Sequence, residues 1–124
     1  MPENKTLLIS KEMIIDLNRQ IVNSESGGLY RTAEKSSKDF PGASPEDIER
    51  LVGHLAEQIL SSQSTLAPEE LAAMTCRRLL AIQPFVKGNR ETALALKRHI
   101  LDYYNCTTDI DGETLFTNPV ILNN

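Results

Sequence analysis

The sequence has few of the cysteine, histidine and aromatic residues that build zinc centres, disulfide frameworks or stacking surfaces for bases. Tryptophan is absent, aromatic residues make up 5% of the chain, and the only two cysteines are Cys76 and Cys106. Because their separation is not that of a zinc-ligand pair, the sequence predicts no metal site and two reduced thiols. It also lacks a run of about 18 apolar residues, so we expect no membrane-spanning helix and no membrane partner.

The amino terminus and the overall charge narrow the classes of protein further. The first ten residues carry one lysine and no long apolar stretch, which is unlike a signal peptide and predicts a cytoplasmic protein. The formal net charge of −4 argues against a nucleic-acid partner, since such domains are usually basic. A length of 124 residues predicts a single domain over residues 1–124.

One segment departs from this acidic composition. From Arg77 to Arg98 there are six basic residues and a single acidic one, Glu91, which gives a local net charge of +5. Two interpretations are open. The segment could be the solvated face of two helices, or it could form a local site for an anion such as phosphate.

Apolar residues recur at intervals of three and four, the period of helices. This pattern predicts four helices, over residues 10–23, 44–60, 67–82 and 89–104. The stripe predicted to face the core from the first helix consists of Met13, Ile14, Leu17 and Ile21.

The flanking residues suggest how the helices begin and what joins them. Ser10 and Ser44 are predicted N-caps, and Pro45 suits a first helical position. A connector over residues 24–43 could hold a short strand or flap at residues 29–32, and the tail after Asn105 could form a hairpin or an extended strand. The predicted fold class is therefore all-α, a helical bundle with at most a small β-hairpin or flap.

The turn before the fourth helix has the features of an anion site. The first turn of a helix leaves backbone N–H groups unpaired and carries partial positive charge. Gly88 would let the backbone approach a ligand closely, and Asn89 would either fix the loop or touch the ligand. Lys87 and Arg90 add positive charge, so a phosphate fits there. An ordinary helix cap would show the same residues.

Residues 83–94, QPFVKGNRETAL, resemble the signature of the Fic/Doc (death-on-curing) family, His-x-Phe-x-Asp/Glu-Gly/Ala-Asn-Lys/Gly-Arg. A looser similarity, through residues 9–12, residues 27–29 and the helix order, extends over most of the chain. The resemblance implies a Fic-type helical bundle. Members transfer AMP, or in Doc a phosphate, from a nucleotide to a hydroxyl of a target protein, which for Doc is elongation factor Tu.

Part of the signature matches residue by residue. Phe85 stands at the position of the aromatic that anchors the loop in the core. Gly88 and Asn89 stand at the anion-hole positions, and Arg90 keeps a positive charge where Doc members have lysine. The resemblance therefore implies that residues 87–91 form the nucleotide- or phosphate-binding part of the site.

Three positions that carry chemistry hold other residue types. Gln83 replaces the catalytic histidine, and an amide is no base although it can orient a hydroxyl. Lys87 replaces the carboxylate that holds magnesium, which prefers oxygen ligands. Glu91 replaces an arginine that grips the nucleotide phosphates, so it places a negative charge where neutralisation is needed. ATP and Mg²⁺ are therefore expected as cofactors only if the family's activity is retained.

These matches and departures predict a degenerate Doc-like protein of the toxin family, which has lost or altered transfer and still binds a nucleotide, a phosphate or a partner protein. One alternative is an active transferase in which Gln83 and Lys87 take over positioning and charge. A second alternative is a regulatory binding module without chemistry. The implied partners are a target like elongation factor Tu or an antitoxin.

Overall fold

The computed structural model describes residues 6–34 and 42–106. Within these ranges the chain forms four α-helices: α1 (Lys11–Val22), α2 (Ile48–Ser62), α3 (Pro68–Ile82) and α4 (Asn89–Tyr103). The all-α prediction is confirmed. In the same two ranges, no helix has the length and apolar character needed to cross a membrane. The hairpin or strand predicted after Asn105 falls outside the described residues.

The helix starts agree with the predicted caps in part. Ser10 caps α1, since its Oγ accepts a hydrogen bond of 3.2 Å from the N–H of Met13. Ser44 stands at the predicted N-cap position and Pro45 follows it in the first turn, but the side chain of Ser44 makes no capping hydrogen bond within the described residues. Pro45–Asp47 instead form one turn of 3₁₀ helix, in which the N–H of Asp47 reaches the backbone carbonyl of Ser44. The α-helix begins only at Ile48.

The core lies among all four helices. α3 and α4 form the most extensive helix pair, α1 packs mainly on α4, and α2 packs mainly on α3. The fully buried apolar side chains come from every helix and from the loop that joins α3 to α4, and they include Ile14, Val52, Ile59, Leu79, Phe85 and Ile100. The loop before α4 is thus anchored in the core that the helices share.

The inward face of α1 differs from the predicted stripe. Ile14 is fully buried, but Met13 and Ile21 are 39% and 37% exposed, so their predicted inward orientation is wrong. The buried position one turn after Ile14 is Asn18. Because this amide finds hydrogen-bond partners inside the molecule, α1 turns Asn18 toward α4 and leaves the two apolar side chains at the edge.

The connector between α1 and α2 lies against the loop between α3 and α4. No strand forms among the described residues, but Tyr30 makes an isolated antiparallel β-bridge with Phe85. Two backbone hydrogen bonds flank this bridge: from the N–H of Arg31 to the carbonyl of Pro84 (2.9 Å) and from the N–H of Val86 to the carbonyl of Leu29 (3.1 Å). The strand or flap predicted at residues 29–32 is thus a single bridge.

Replacing Phe85 by alanine should destabilise the protein by about 3–5 kcal/mol, because the ring is fully buried and its removal leaves a cavity. Its ring centroid lies 5.7 Å from that of Tyr30, so the connector would lose a contact as well. Denaturant unfolding measures the change. The control is Val86→Ala, since Val86 is the next residue and is 39% exposed. Equal stability losses in the two variants would contradict the anchoring role.

Candidate functional site

We call residues 83–91 the motif loop; it leaves α3 at Gln83 and enters α4 at Asn89. Gln83 has left-handed backbone angles, φ 47° and ψ 61°, and its N–H donates to the carbonyl of Leu79 (3.0 Å). Pro84 disfavours the helical region for the residue before it, which explains why α3 ends here. A positive φ is uncommon for a residue with a side chain, so the surroundings must hold it. Gln83 is almost fully buried.

The side chain of Asn89 fixes the shape of the loop. Its Oδ1 accepts a hydrogen bond of 2.8 Å from the N–H of Phe85, and its Nδ2 donates one of 2.9 Å to the carbonyl of the same residue. Asn89 is buried. Of the two roles predicted for this residue, the structure shows the first, since both polar atoms of the amide are bound to the loop backbone.

Gly88 is required by the packing of α1. It is the N-cap of α4 and has a φ of 77°. A Cβ on Gly88 would lie 2.9 Å from Cγ2 of Val22 and 3.1 Å from Nδ2 of Asn18. The sequence alone suggested a glycine that lets a ligand approach, whereas the structure shows a glycine that lets helix α1 approach.

The start of α4 presents backbone donors and charged side chains. The N–H of Thr92 donates to the carbonyl of Gly88 (2.9 Å), so the N–H groups of residues 89–91 precede the first bond of the helix and carry its positive dipole end. Lys87, Arg90 and Glu91 are exposed. The loop therefore combines donors, two cations and one carboxylate at a single helix start.

Three residues of the basic segment between Arg77 and Arg98 lie within electrostatic reach of one buried thiol, that of Cys76. Burial raises the pKa of Cys76, while Lys97, Arg90 and Arg77 act to lower it. These three cations come from both α3 and α4, so the two helices bring part of the basic segment within electrostatic reach of the same atom. Three of the six basic residues between Arg77 and Arg98 therefore act on the pKa of Cys76.

Asn18 contributes to the site, although no motif in the sequence identifies it. Its Nδ2 donates to the carbonyl of Lys87 (2.8 Å) and to Oγ1 of Thr92 (3.0 Å), and its Oδ1 accepts from the N–H of Gly28 (2.7 Å). One amide thus joins α1, the connector, the motif loop and α4. The sequence contains one indication of this role: Asn18 follows Ile14 by one helical turn and so shares its face of α1. A buried amide on that face needs hydrogen-bond partners.

Arg31 is the second residue that the sequence did not reveal. It is 6% exposed, and its side chain donates four hydrogen bonds to backbone carbonyls, those of Ala33 (2.9 Å), Ala43 (2.6 Å), Ile82 (3.0 Å) and Gln83. Carbonyl groups occur at every position, so no residue type in the sequence identifies these partners. The guanidinium joins the connector to the carboxyl end of α3.

The arrangement can bind an anion and orient a hydroxyl. The helix start offers N–H groups and the side chains of Lys87 and Arg90 to a phosphate. Gln83 can donate or accept a hydrogen bond but cannot take up a proton near neutral pH. Over residues 6–34 and 42–106, no three His, Cys, Asp or Glu side chains lie close enough together to hold a metal ion.

Gly88→Ala should destabilise the protein by about 1–3 kcal/mol, because the new Cβ would approach α1 and would occupy a left-handed backbone. The matched control is Gly53→Ala, since a Cβ on Gly53 in α2 meets nothing within 4 Å. That change should stabilise the protein by about 0.5–1 kcal/mol. Thermal unfolding of both variants measures the difference, and a neutral Gly88→Ala would show that α1 does not constrain the loop.

Comparison with known proteins agrees with this geometry. The sequence profile of the Fic/DOC family matches residues 8–101. A protein adenylyltransferase Fic from Nematostella vectensis is 31% identical over 107 residues, which cover 79% of this chain and 25% of that protein. The chain therefore spans about a quarter of the length of this curated relative.

Solved structures with the same arrangement also carry Fic domains. A Fic-domain-containing signalling protein from Bacteroides thetaiotaomicron superposes with a TM-score of 0.73 at 29% identity, covering 78% of this chain and 40% of that one. Fic-1 from C. elegans gives a TM-score of 0.65 at 26% identity, covering 78% and 29%. The matched profile, the shared helices and the loop built on Phe85 and Asn89 show that this chain belongs to the Fic/DOC family.

Proposed function

We propose that this protein binds a phosphate group, free or on a nucleotide, at the motif loop and has lost the group transfer of its family. One observation carries the proposal. The residues that build the loop, Phe85, Gly88 and Asn89, match the family signature. Three positions that carry the family's chemistry instead hold Gln83, Lys87 and Glu91.

The structure of the motif loop supports the proposal that it binds a phosphate group. Phe85 is buried, Asn89 holds both polar groups of the Phe85 backbone, and the N–H groups of residues 89–91 precede the first hydrogen bond of α4. A helix start of this kind favours negative charge, and it does so without a metal. Lys87 and Arg90 are exposed beside it and add two positive charges.

The replaced side chains support the loss of transfer. A target hydroxyl needs a group that takes its proton, and the amide of Gln83 cannot do so. Magnesium needs oxygen ligands, which Lys87 lacks. Phosphoryl and nucleotidyl transfer depend on neutralising charge as the bond breaks, and the carboxylate of Glu91 opposes that.

A protein partner is the second candidate, and an exposed apolar pair favours it. Leu29 is 53% exposed and Val86 is 39% exposed. The hydrogen bond from the N–H of Val86 to the carbonyl of Leu29 holds the two residues side by side at the motif loop. A target like elongation factor Tu, or an antitoxin, would cover this pair when it docks at the loop.

The unmodified protein should transfer no label from ATP to elongation factor Tu above background. Loss of a positioned base alone reduces the rate by about 10²–10⁴-fold. The triple variant Gln83→His, Lys87→Asp, Glu91→Arg should gain magnesium-dependent transfer, measured with ATP labelled at the α- or γ-phosphate. Gln83→His alone should gain little, because Glu91 would still repel the nucleotide. Robust transfer by the unmodified protein would overturn the proposal and favour an active enzyme.

Calorimetry with inorganic phosphate and with ATP tests the binding half directly. Binding should not require magnesium, because Lys87 supplies positive charge where the family has a carboxylate. Arg90→Ala should weaken phosphate binding by about three- to tenfold, as expected for the loss of one charge-assisted contact. The matched control is Arg98→Ala, which removes an exposed cation two turns further along α4. Equal effects of both variants, or no binding at all, would contradict a site at the loop.

A further inference from the structure

Arg31 is a buried cation that bonds only to backbone in the described part of the chain. Its four side-chain hydrogen bonds reach two carbonyls of the connector, at Ala33 and Ala43, and two at the end of α3, at Ile82 and Gln83. Its own N–H donates to the carbonyl of Pro84 (2.9 Å). One residue therefore holds three consecutive peptide groups where the motif loop begins.

The chemistry of the helix end explains why an arginine suits this position. The last carbonyls of a helix lack helical donors and carry partial negative charge. A guanidinium presents five N–H groups in a planar fork and stays ionised, so it can serve several such carbonyls at once. Hydrogen bonds from a cation are stronger than those between neutral groups. Arg31 thus caps α3 from outside the helix.

We propose that Arg31 is the positioning residue of the motif loop. It holds the carbonyl of Gln83 and thereby fixes the direction in which the chain leaves α3 for Phe85. Its side-chain donors bond to backbone carbonyls, so it acts on the site through the loop. The inference rests on the proposed function only in treating this loop as a binding site, since the positioning itself is a property of the protein without a ligand.

The backbone at Gln83 shows why such a residue is needed. Its left-handed angles are unfavourable for a residue with a side chain, and they persist only where both neighbouring peptide groups are held. The N–H is held by the carbonyl of Leu79, and the carbonyl is held by Arg31. Without Arg31 the peptide between Gln83 and Pro84 can turn, which moves the N–H of Phe85 away from Asn89.

Hydrogen exchange of single amides, measured by NMR, separates positioning from general stability. Phe85 and Val86 report on the motif loop, since their N–H groups donate to Asn89 Oδ1 and to the carbonyl of Leu29. Amides in the middle of α2 report on global unfolding. In Arg31→Ala the loop amides should exchange about tenfold faster relative to those of α2. An equal change at both places would show a merely structural role and overturn the proposal.

Two controls sharpen this experiment. Arg50→Ala removes an exposed arginine paired with Asp47 at 3.1 Å, so it matches the change in charge and should leave exchange in the motif loop unaltered. Millimolar guanidinium, well below denaturing concentrations, should restore slow exchange to Arg31→Ala by occupying the vacated site. Urea and sodium chloride at the same concentration should not. Rescue by all three or by none would count against a specific guanidinium role.

A second variant keeps the test decisive if Arg31→Ala does not fold. Arg31→Lys retains the charge but offers a single nitrogen instead of a fork, so its loop exchange should be faster than in the unmodified protein. Wild-type exchange in Arg31→Lys would overturn the proposal. Phosphate calorimetry on the unmodified protein is a separate measurement: if it shows no binding while the exchange results hold, the proposed function fails and the positioning role of Arg31 stands.

Discussion

The structure depends on the hydrogen bonds that side chains and neighbouring backbone groups make to the backbone of the motif loop. The motif loop runs from the end of one helix to the start of the next, and its residues 83–85 and 89 are buried. Three buried side chains provide partners, Asn89 for Phe85, Asn18 for Lys87 and Arg31 for Gln83, and backbone groups of the connector bond to Pro84 and Val86. Since an unpaired buried polar group costs about 1–3 kcal/mol, these residues determine the shape of the loop.

This dependence explains how the loop structure of the family can be kept while residues that carry its chemistry are replaced. The side chains that bond to the loop backbone are buried and belong to α1, to the connector and to the first residue of α4. The side chains of Lys87, Arg90 and Glu91 are exposed to solvent. Replacing the exposed side chain of Lys87 or Glu91 leaves every backbone hydrogen bond intact. Gln83 is buried, but its hydrogen bonds to Leu79 and Arg31 involve only its backbone, so the loop keeps its form.

The sequence predicts those parts of the structure that depend on neighbouring residues. The helical period and the cap at Ser10 follow from local patterns, and the burial of Phe85 follows from the resemblance to the family signature. The orientation of Met13 and Ile21 does not, because it is set by Asn18, whose partners are remote in sequence. Arg31 was equally hidden, since its acceptors are carbonyls that any residue could supply. Tertiary hydrogen bonds to backbone leave no mark in composition or spacing.

The hydrogen bonds of Asn18 also determine at what stage of folding the motif loop can form. Its partners Lys87 and Thr92 are 69 and 74 residues away along the chain. Contacts of such long sequence separation form only after the entropy of closing a large loop has been overcome, and they slow folding. Helices α1 and α4 must therefore meet before the loop takes its shape. As the chain is synthesised, the site is completed only after α4 has emerged and docked against α1.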